Sequence, residues 1–260
     1  MSMRSPLAQY ITVTLSYWAF TLTDGALRML VLLFFHNLGY SPIEIASLFL
    51  LYEFFGVVTN LYGGWLGSRF GLTLTMQLGL GLQIFALALL LADPSVLTVV
   101  YVMIAQAISG IAKDLNKMAA KSSIKTLVAD GEQGKLYRWV AMLTGSKNAL
   151  KGMGYFLGGA LLATVGFQGS IAALLSLLLV ALVMGSWLLE YQPGSNKGSF
   201  SQSLSPSAGV NRLSAARLFL FCARDVWFVV ALPVFLQSQL GWSPVQVGSL
   251  MAAWVIIYGA

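Results

Sequence analysis

Stretches of about twenty apolar residues, each closed by a turn rich in glycine, serine or proline, follow one another along almost the whole chain. That pattern leaves few folds open. A bilayer core roughly 30 Å thick is crossed by a helix of about 20 apolar residues, and eight segments meet the requirement: Gln9–Phe35, Ile43–Leu66, Leu72–Ala92, Leu97–Lys117, Leu136–Val165, Gly169–Glu190, Leu213–Leu236 and Pro244–Ala260. Gly39-Tyr40-Ser41-Pro42, Gly67-Ser68-Arg69-Phe70-Gly71, Asp93-Pro94, Gly166 and Gly241-Trp242-Ser243-Pro244 punctuate them. Only 9% of the residues are charged and 58% are hydrophobic, against about 25% charged in soluble domains. So few polar groups cannot cover a water-facing surface, which excludes a soluble enzyme and a nucleic-acid binder. The expected fold is all-α and polytopic, surrounded by membrane lipid. The first helix is too long for a cleaved signal and carries Asp24 and Arg28 in its middle. A single cysteine, Cys222, and a single histidine, His36, predict no disulfide framework, no metal site and no cofactor.

The short loops set an expected orientation. Arg4, Arg69, the group Lys121, Lys125, Lys135 and Arg138, and then Lys197 and Arg212 fall on one side, whereas the loops near 36–42, 93–96, 166–168 and 237–243 carry no Lys or Arg. By the positive-inside rule the N-terminus lies in the cytoplasm. Residues 191–212, rich in Ser, Gly and Pro, read as a flexible cytoplasmic linker between a six-helix bundle over 1–190 and a second unit opening at 213–260.

That second unit repeats the first. Gly39-Tyr40-Ser41-Pro42-Ile43-Glu44-Ile45-Ala46-Ser47-Leu48 returns, offset by 202, as Gly241-Trp242-Ser243-Pro244-Val245-Gln246-Val247-Gly248-Ser249-Leu250. An offset that contains six helices gives both copies the same direction, and such a parallel repeat relates the two halves of rocking secondary transporters. On this reading the chain holds one half and the first two helices of the next, and a complete protein reaches about 400 residues.

Local motifs resemble those of the major facilitator superfamily. Gly64-Trp65-Leu66-Gly67-Ser68-Arg69-Phe70-Gly71 is similar to its loop signature G-x-L-x-D-R-x-G, with Ser68 at the acidic position; the resemblance makes Gly64, Arg69 and Gly71 parts of a conformational loop. Gly154-Tyr155-Phe156-Leu157-Gly158-Gly159 is similar to the antiporter motif G-P-x-x-G-G, with Tyr155 replacing proline. Small residues at i and i+4 allow helix backbones to approach closely. Gln106 stands at the start of Gln106-Ala107-Ile108-Ser109-Gly110, where many proton-coupled members carry arginine.

Ionisable residues inside membrane helices are costly unless paired or wetted, so each is a functional candidate. Asp24 and Arg28 lie one turn apart and form either an intrahelical ion pair or part of a substrate cavity. The fourth helix carries Lys113, Asp114, Asn116 and Lys117, followed by Lys121 and Lys125, the lysines making one stripe that either snorkels or faces a cavity. Lys147, Asn148 and Lys151 fall near the middle of the fifth helix, and two ammonium groups one turn apart repel unless an anion neutralises them. Glu53 is either a group that hydrogen-bonds between helices or a proton site. Arg217, Arg224 and Asp225 follow in the seventh helix, Asp225 being the repeat counterpart of Asp24. The deep positions hold six cations, Arg28, Lys113, Lys117, Lys147, Lys151 and Arg224, and four anions, Asp24, Glu53, Asp114 and Asp225. That surplus favours a small anionic substrate, because ammonium and guanidinium groups match phosphate and carboxylate.

The longer strings narrow the resemblance. Tyr17-Trp18-Ala19-Phe20-Thr21-Leu22-Thr23-Asp24-Gly25-Ala26-Leu27-Arg28, Ser109-Gly110-Ile111-Ala112-Lys113-Asp114-Leu115-Asn116-Lys117, Gly145-Ser146-Lys147-Asn148-Ala149-Leu150-Lys151-Gly152 and Ala223-Arg224-Asp225-Val226-Trp227 resemble the organoarsenical efflux permeases of bacterial arsenic-resistance operons. The resemblance implies a bacterial inner-membrane transporter, not an enzyme, that exports 1-arseno-3-phosphoglycerate by alternating access. It implies arsenate resistance and a functional link to a glyceraldehyde-3-phosphate dehydrogenase. The residues expected to hold the substrate are Arg28, Lys113, Lys117, Lys147, Asn148, Lys151 and Arg224, with Asp24, Glu53, Asp114 and Asp225 balancing charge or carrying a coupling proton. The alternative within the same superfamily is a phosphate-ester/inorganic phosphate exchanger. A monomer is expected.

Overall fold

The computed structural model describes residues 5–129, 131–191, 193–194 and 207–259. Nearly everything in it is helical: α1 (Pro6–Asn37), α2 (Pro42–Leu48), α3 (Leu50–Phe70), α4 (Leu72–Leu90), α5 (Val99–Leu127), α6 (Gln133–Leu188), α7 (Ala208–Arg224), α8 (Leu232–Leu240) and α9 (Pro244–Gly259). The predicted second span is α2 and α3 in series, joined at Phe49. The predicted fifth and sixth spans are the two parts of α6, which breaks at Gly166 with φ at +70°. The fourth helix runs ten residues beyond its expected end, to Leu127, so Lys121 and Lys125 are helical too. Helix α7 already starts at Ala208, inside the stretch assigned to the linker, most of which lies outside the described residues.

The sequence repeat is also a repeat of local structure. Gly39 and Gly241 both take positive φ, +86° and +66°, a conformation that a side chain disfavours. Two residues later a serine caps the next helix and proline occupies its first turn, where the missing N–H costs nothing. Ser41 N–H donates to Glu44 Oε2 at 2.8 Å, and Ser243 N–H to Gln246 Oε1 at 2.9 Å; the serine hydroxyls accept in return from the Glu44 and Gln246 amides. Glutamate and glutamine serve equally, because the cap needs only a side-chain oxygen.

Contacts along the helices give their directions. Tyr10 stacks on Trp139, Gly25 abuts Lys151, and Phe34 stacks on Phe167, so α1 and the first part of α6 run parallel. Tyr52 meets Gly110 and Gly63 meets Met118, so α3 and α5 are parallel as well. Helices α4 and α5 are antiparallel, Gly79 lying on Asn116 while Gln83 accepts from Ser109. The chain therefore winds back and forth, each span reversing the one before. Helix α1 is the axis of the bundle: 78% of its most apolar window is buried, against 28–39% for the other three long apolar helices. Gly154 and Gly158 allow this, since a Cβ on either would lie 2.5 Å from a carbonyl oxygen of α1, that of Leu22 or Ala26.

Four helices are long and apolar enough to cross a membrane by length and composition: Pro6–Asn37, Pro42–Asn60, Leu72–Leu90 and Gln133–Leu188, the last long enough for two passes. Helix α5 misses that group although it runs through the same bundle, because Gln106, Lys113, Asp114, Asn116 and Lys117 interrupt its apolar run. The seventh span changes character halfway, α7 passing into wider π-helical turns over Asp225–Ala231 before α8. Pro233 follows those turns, and its lack of an N–H removes one donor from the regular ladder.

Candidate functional site: a charged cluster between helices

Three helices bring together charges far apart in sequence. Asp24 and Arg28 are buried on α1, Glu53 lies one turn into α3, and Lys113, Asp114 and Lys117 follow one another on α5. Arg28 Nη2 donates to Glu53 Oε1. The other Glu53 oxygen faces Lys113 Nζ at 3.6 Å. Asp114, itself buried, pairs with Lys117 Nζ at 2.9 Å and stands 3.9 Å from Lys113 Nζ. Glu53 thus bridges α1 and α5 from α3.

Tyr52, which the sequence reading passed over, sits in the middle. Its hydroxyl donates to Asp24 Oδ1 at 2.5 Å, and its ring lies 4.0 Å from Lys113 Nζ and 4.7 Å from the Arg28 guanidinium. Cations within about 6 Å of an aromatic face are attracted by its quadrupole. Nothing in the sequence separates Tyr52 from the other tyrosines of apolar helices, except its place beside Glu53.

Helix α6 supplies the remaining cations. Trp18 Nε1 donates to Ser146 Oγ at 2.8 Å, fixing α6 against α1 one residue before Lys147. Lys151 stands one turn on, its backbone carbonyl against Gly25 and its ammonium 5.8 Å from the Tyr155 ring. Lys147 is only partly exposed and makes no ion pair among the described residues. Among the described residues, the charges that act on it most are positive: Lys151, Lys117, Lys113 and Lys121. Arg28, Lys113 and Lys117 are matched in number by Asp24, Glu53 and Asp114, and Lys147 on α6 adds a positive charge with no ion pair among the described residues.

Other expected residues lie elsewhere. Asn148 is half-buried and hydrogen-bonds to none of these charges among the described residues. Gly64, Arg69 and Gly71 are at the α3–α4 end. There Gly71 turns the chain with φ at +90°, Arg69 lies over the Trp65 ring at 5.2 Å, and a Cβ on Gly64 would meet open space. The side chains of Arg217, Arg224 and Asp225 fall outside the described residues.

Residues 11–260 match the Major Facilitator Superfamily. The chain belongs to that family. It is accordingly a multi-pass, all-helical membrane protein. No curated protein matches it in sequence. Among solved structures it is similar to a proton-dependent oligopeptide transporter, with a TM-score of 0.63 at 19% identity over 90% of this chain and 52% of the other. It is also similar to a POT family transporter in complex with a thioalcohol-conjugated peptide, with a TM-score of 0.65 at 12% identity over 95% of this chain and 67% of the other. A peptide transporter in complex with alafosfalin gives 0.62 at 15% over 95% and 65%. At such identities the shared property is the superfamily fold. The chain spans about half the length of the first of these transporters.

Proposed function

We propose that the chain is part of a secondary transporter that carries a small organic anion by alternating access, with the N-terminus cytoplasmic and Lys147 at the substrate site. One observation carries the reading: among the described residues Lys147 makes no ion pair and stands within reach of Lys151, Lys117, Lys113 and Lys121, while Arg28, Lys113 and Lys117 pair with carboxylates. An ammonium in that setting is stabilised by an anion arriving with the substrate. Arg28, Lys113, Lys117 and Lys151 would surround that anion, with Arg224 from the second unit. Asp24, Glu53, Asp114 and Asp225 would balance charge or carry a coupling proton. The turn at Gly71 would transmit movement between α3 and α4.

The substrate is 1-arseno-3-phosphoglycerate, exported across a bacterial inner membrane by a monomeric carrier, so that the ester made by a glyceraldehyde-3-phosphate dehydrogenase leaves the cell and confers arsenate resistance. This finer choice rests on the four strings around Asp24, Lys113, Lys147 and Arg224. The chemistry agrees: phosphate and arsenate ester groups call for cations, and pentavalent arsenic needs no thiolates, of which a chain with Cys222 alone could offer one. The test is uptake into everted vesicles containing the full-length protein, supplied with dehydrogenase, glyceraldehyde 3-phosphate, NAD and labelled arsenate. Uptake that requires the complete reaction supports the ester. Equal uptake of free arsenate refutes it, and obligatory counter-transport of inorganic phosphate would make the protein an exchanger.

A further inference from the structure

We infer that Trp18 is a positioning residue of the anion site: its indole N–H, tied through the Ser146 hydroxyl to the turn of α6 that precedes Lys147, sets where the Lys147 ammonium stands. The inference rests on the anion-binding reading above and adds to it an uncharged residue from another helix.

The stretch of α6 before Lys147 is weak as a helix on its own account. Thr144, Gly145 and Ser146 follow one another, and each favours the helix less than alanine does, glycine by about 1 kcal/mol. The glycine admits no close neighbour either, since a Cβ on Gly145 would meet nothing within 4 Å. The backbone here therefore depends on what holds it from outside. Helix α1 holds α6 on both sides of this stretch. Before it, Tyr10 stacks on Trp139 with ring centroids 4.2 Å apart. After it, α1 and α6 meet backbone to backbone, a Cβ on Gly25 lying 2.8 Å from the Lys151 carbonyl oxygen. Trp18 stands between these two points on α1, eight residues from Tyr10 and seven from Gly25, spacings of about two turns that keep all three on one side of the helix.

The Trp18 bond reaches Lys147 through the backbone. Indole Nε1 donates to Ser146 Oγ at 2.8 Å, and the same hydroxyl donates to the Leu143 carbonyl at 3.2 Å. In an α-helix that carbonyl also receives the amide of residue 147, so the tie ends on the acceptor that holds Lys147 itself. An indole has one donor and no acceptor, which fixes the direction of both bonds. The ring packs against the buried cluster that contains Tyr17 and Leu143, and phenylalanine would fill most of that space; the N–H is the part that packing does not require. A long lysine side chain loses rotamer freedom when an anion binds it, and a firmly held backbone reduces how much more must be ordered at that moment.

The test uses purified full-length protein and equilibrium binding of 3-phosphoglycerate, the stable phosphate ester left when the arseno-ester hydrolyses. Trp18→Phe and Ser146→Ala should each weaken binding about fivefold, the order of one neutral hydrogen bond, and the double variant should be no weaker than either. Ser146→Ala introduces a stronger helix former, so its loss of affinity would not be a loss of fold. Ser146→Thr, which keeps the hydroxyl, should bind as wild type does. In a Lys147→Ala background, Trp18→Phe should change the affinity no further. Wild-type affinity in Trp18→Phe or Ser146→Ala overturns the inference, and so does an equal fivefold loss in the Lys147→Ala background, which would make the bond a general support of the bundle. Wild-type affinity in Lys147→Ala alone overturns the anion site itself, and the assignment of Trp18 with it.

Discussion

Gly110→Ala puts one methyl group where the structure has least room for it. The new Cβ would stand 2.2 Å from the Tyr52 carbonyl oxygen, 2.9 Å from its carbon and 3.0 Å from its Cα. All three are backbone atoms, so no rotamer change relieves the clash. An unstrained carbon–oxygen contact is about 3.3–3.6 Å, and α3 and α5 must therefore separate by about 1 Å at the crossing. A radial gap of that size forfeits a quarter to a half of the dispersion energy of the atoms around it, and overpacking of this kind typically costs about 1–3 kcal/mol. The same displacement carries Lys113 Nζ away from the Tyr52 ring, now 4.0 Å distant. The matched control is Gly81→Ala in α4, where a Cβ meets nothing within 4 Å. Thermal unfolding in detergent, followed by tryptophan fluorescence, should show Gly110→Ala lowered by several degrees, at about 2–4 °C per kcal/mol for a chain of this size, and Gly81→Ala unchanged or higher. Equilibrium binding of 3-phosphoglycerate should weaken about threefold in Gly110→Ala, since a cation–π contact is lost. Equal melting of the two variants would refute the packing argument. Lower melting with unchanged affinity would refute the claim that this crossing positions the cations.

Glu53→Gln removes the carboxylate shared by Arg28 and Lys113. Because Glu53 is about one-third exposed, the loss should be near 1–2 kcal/mol rather than the 3–5 kcal/mol of a fully buried pair. Added 3-phosphoglycerate should raise the melting temperature of this variant more than that of wild type, an outcome opposite to that for a merely damaged protein. Gly158→Leu should abolish monodisperse protein on size exclusion, since even a Cβ there would lie 2.5 Å from the Ala26 carbonyl oxygen; normal yield would contradict the α1–α6 packing.

Apolar length and turn chemistry announced the spans because both act locally. Gly39 and Gly241 end one helix, Ser41 and Ser243 begin the next, and these events need nothing beyond four or five neighbouring residues. The far end of α5 was harder to foresee. Charged Lys121 and Lys125 mark the edge of a membrane segment, yet they favour helix as much as apolar residues do, and the helix continues. The pairing of charges lay beyond the sequence for another reason. Asp24 and Arg28 share a face, and that periodicity suggested a pair within α1; the contacts to Tyr52 and Glu53 depend on how α1, α3 and α5 cross. The crossing of α3 and α5 is fixed by Gly110, whose place in the Gln106–Gly110 segment drew notice only for the missing arginine. Lys147 and Lys151 were apparent as mid-helix ammonium groups, while the company of Lys113, Lys117 and Lys121 follows from α5 and α6 sharing α1 as their support.

The proposed place of Lys147 in an anion site is open to direct measurement. Its most direct test is the dissociation constant of 3-phosphoglycerate for the full-length protein, measured for wild type, Lys147→Ala and Lys147→Arg, with glycerol as the uncharged comparison. Binding of the ester and not of glycerol is expected, with a loss of tenfold or more in Lys147→Ala, the order of a charge-assisted contact, and substantial recovery in Lys147→Arg. Equal affinity of Lys147→Ala and wild type would contradict that placement.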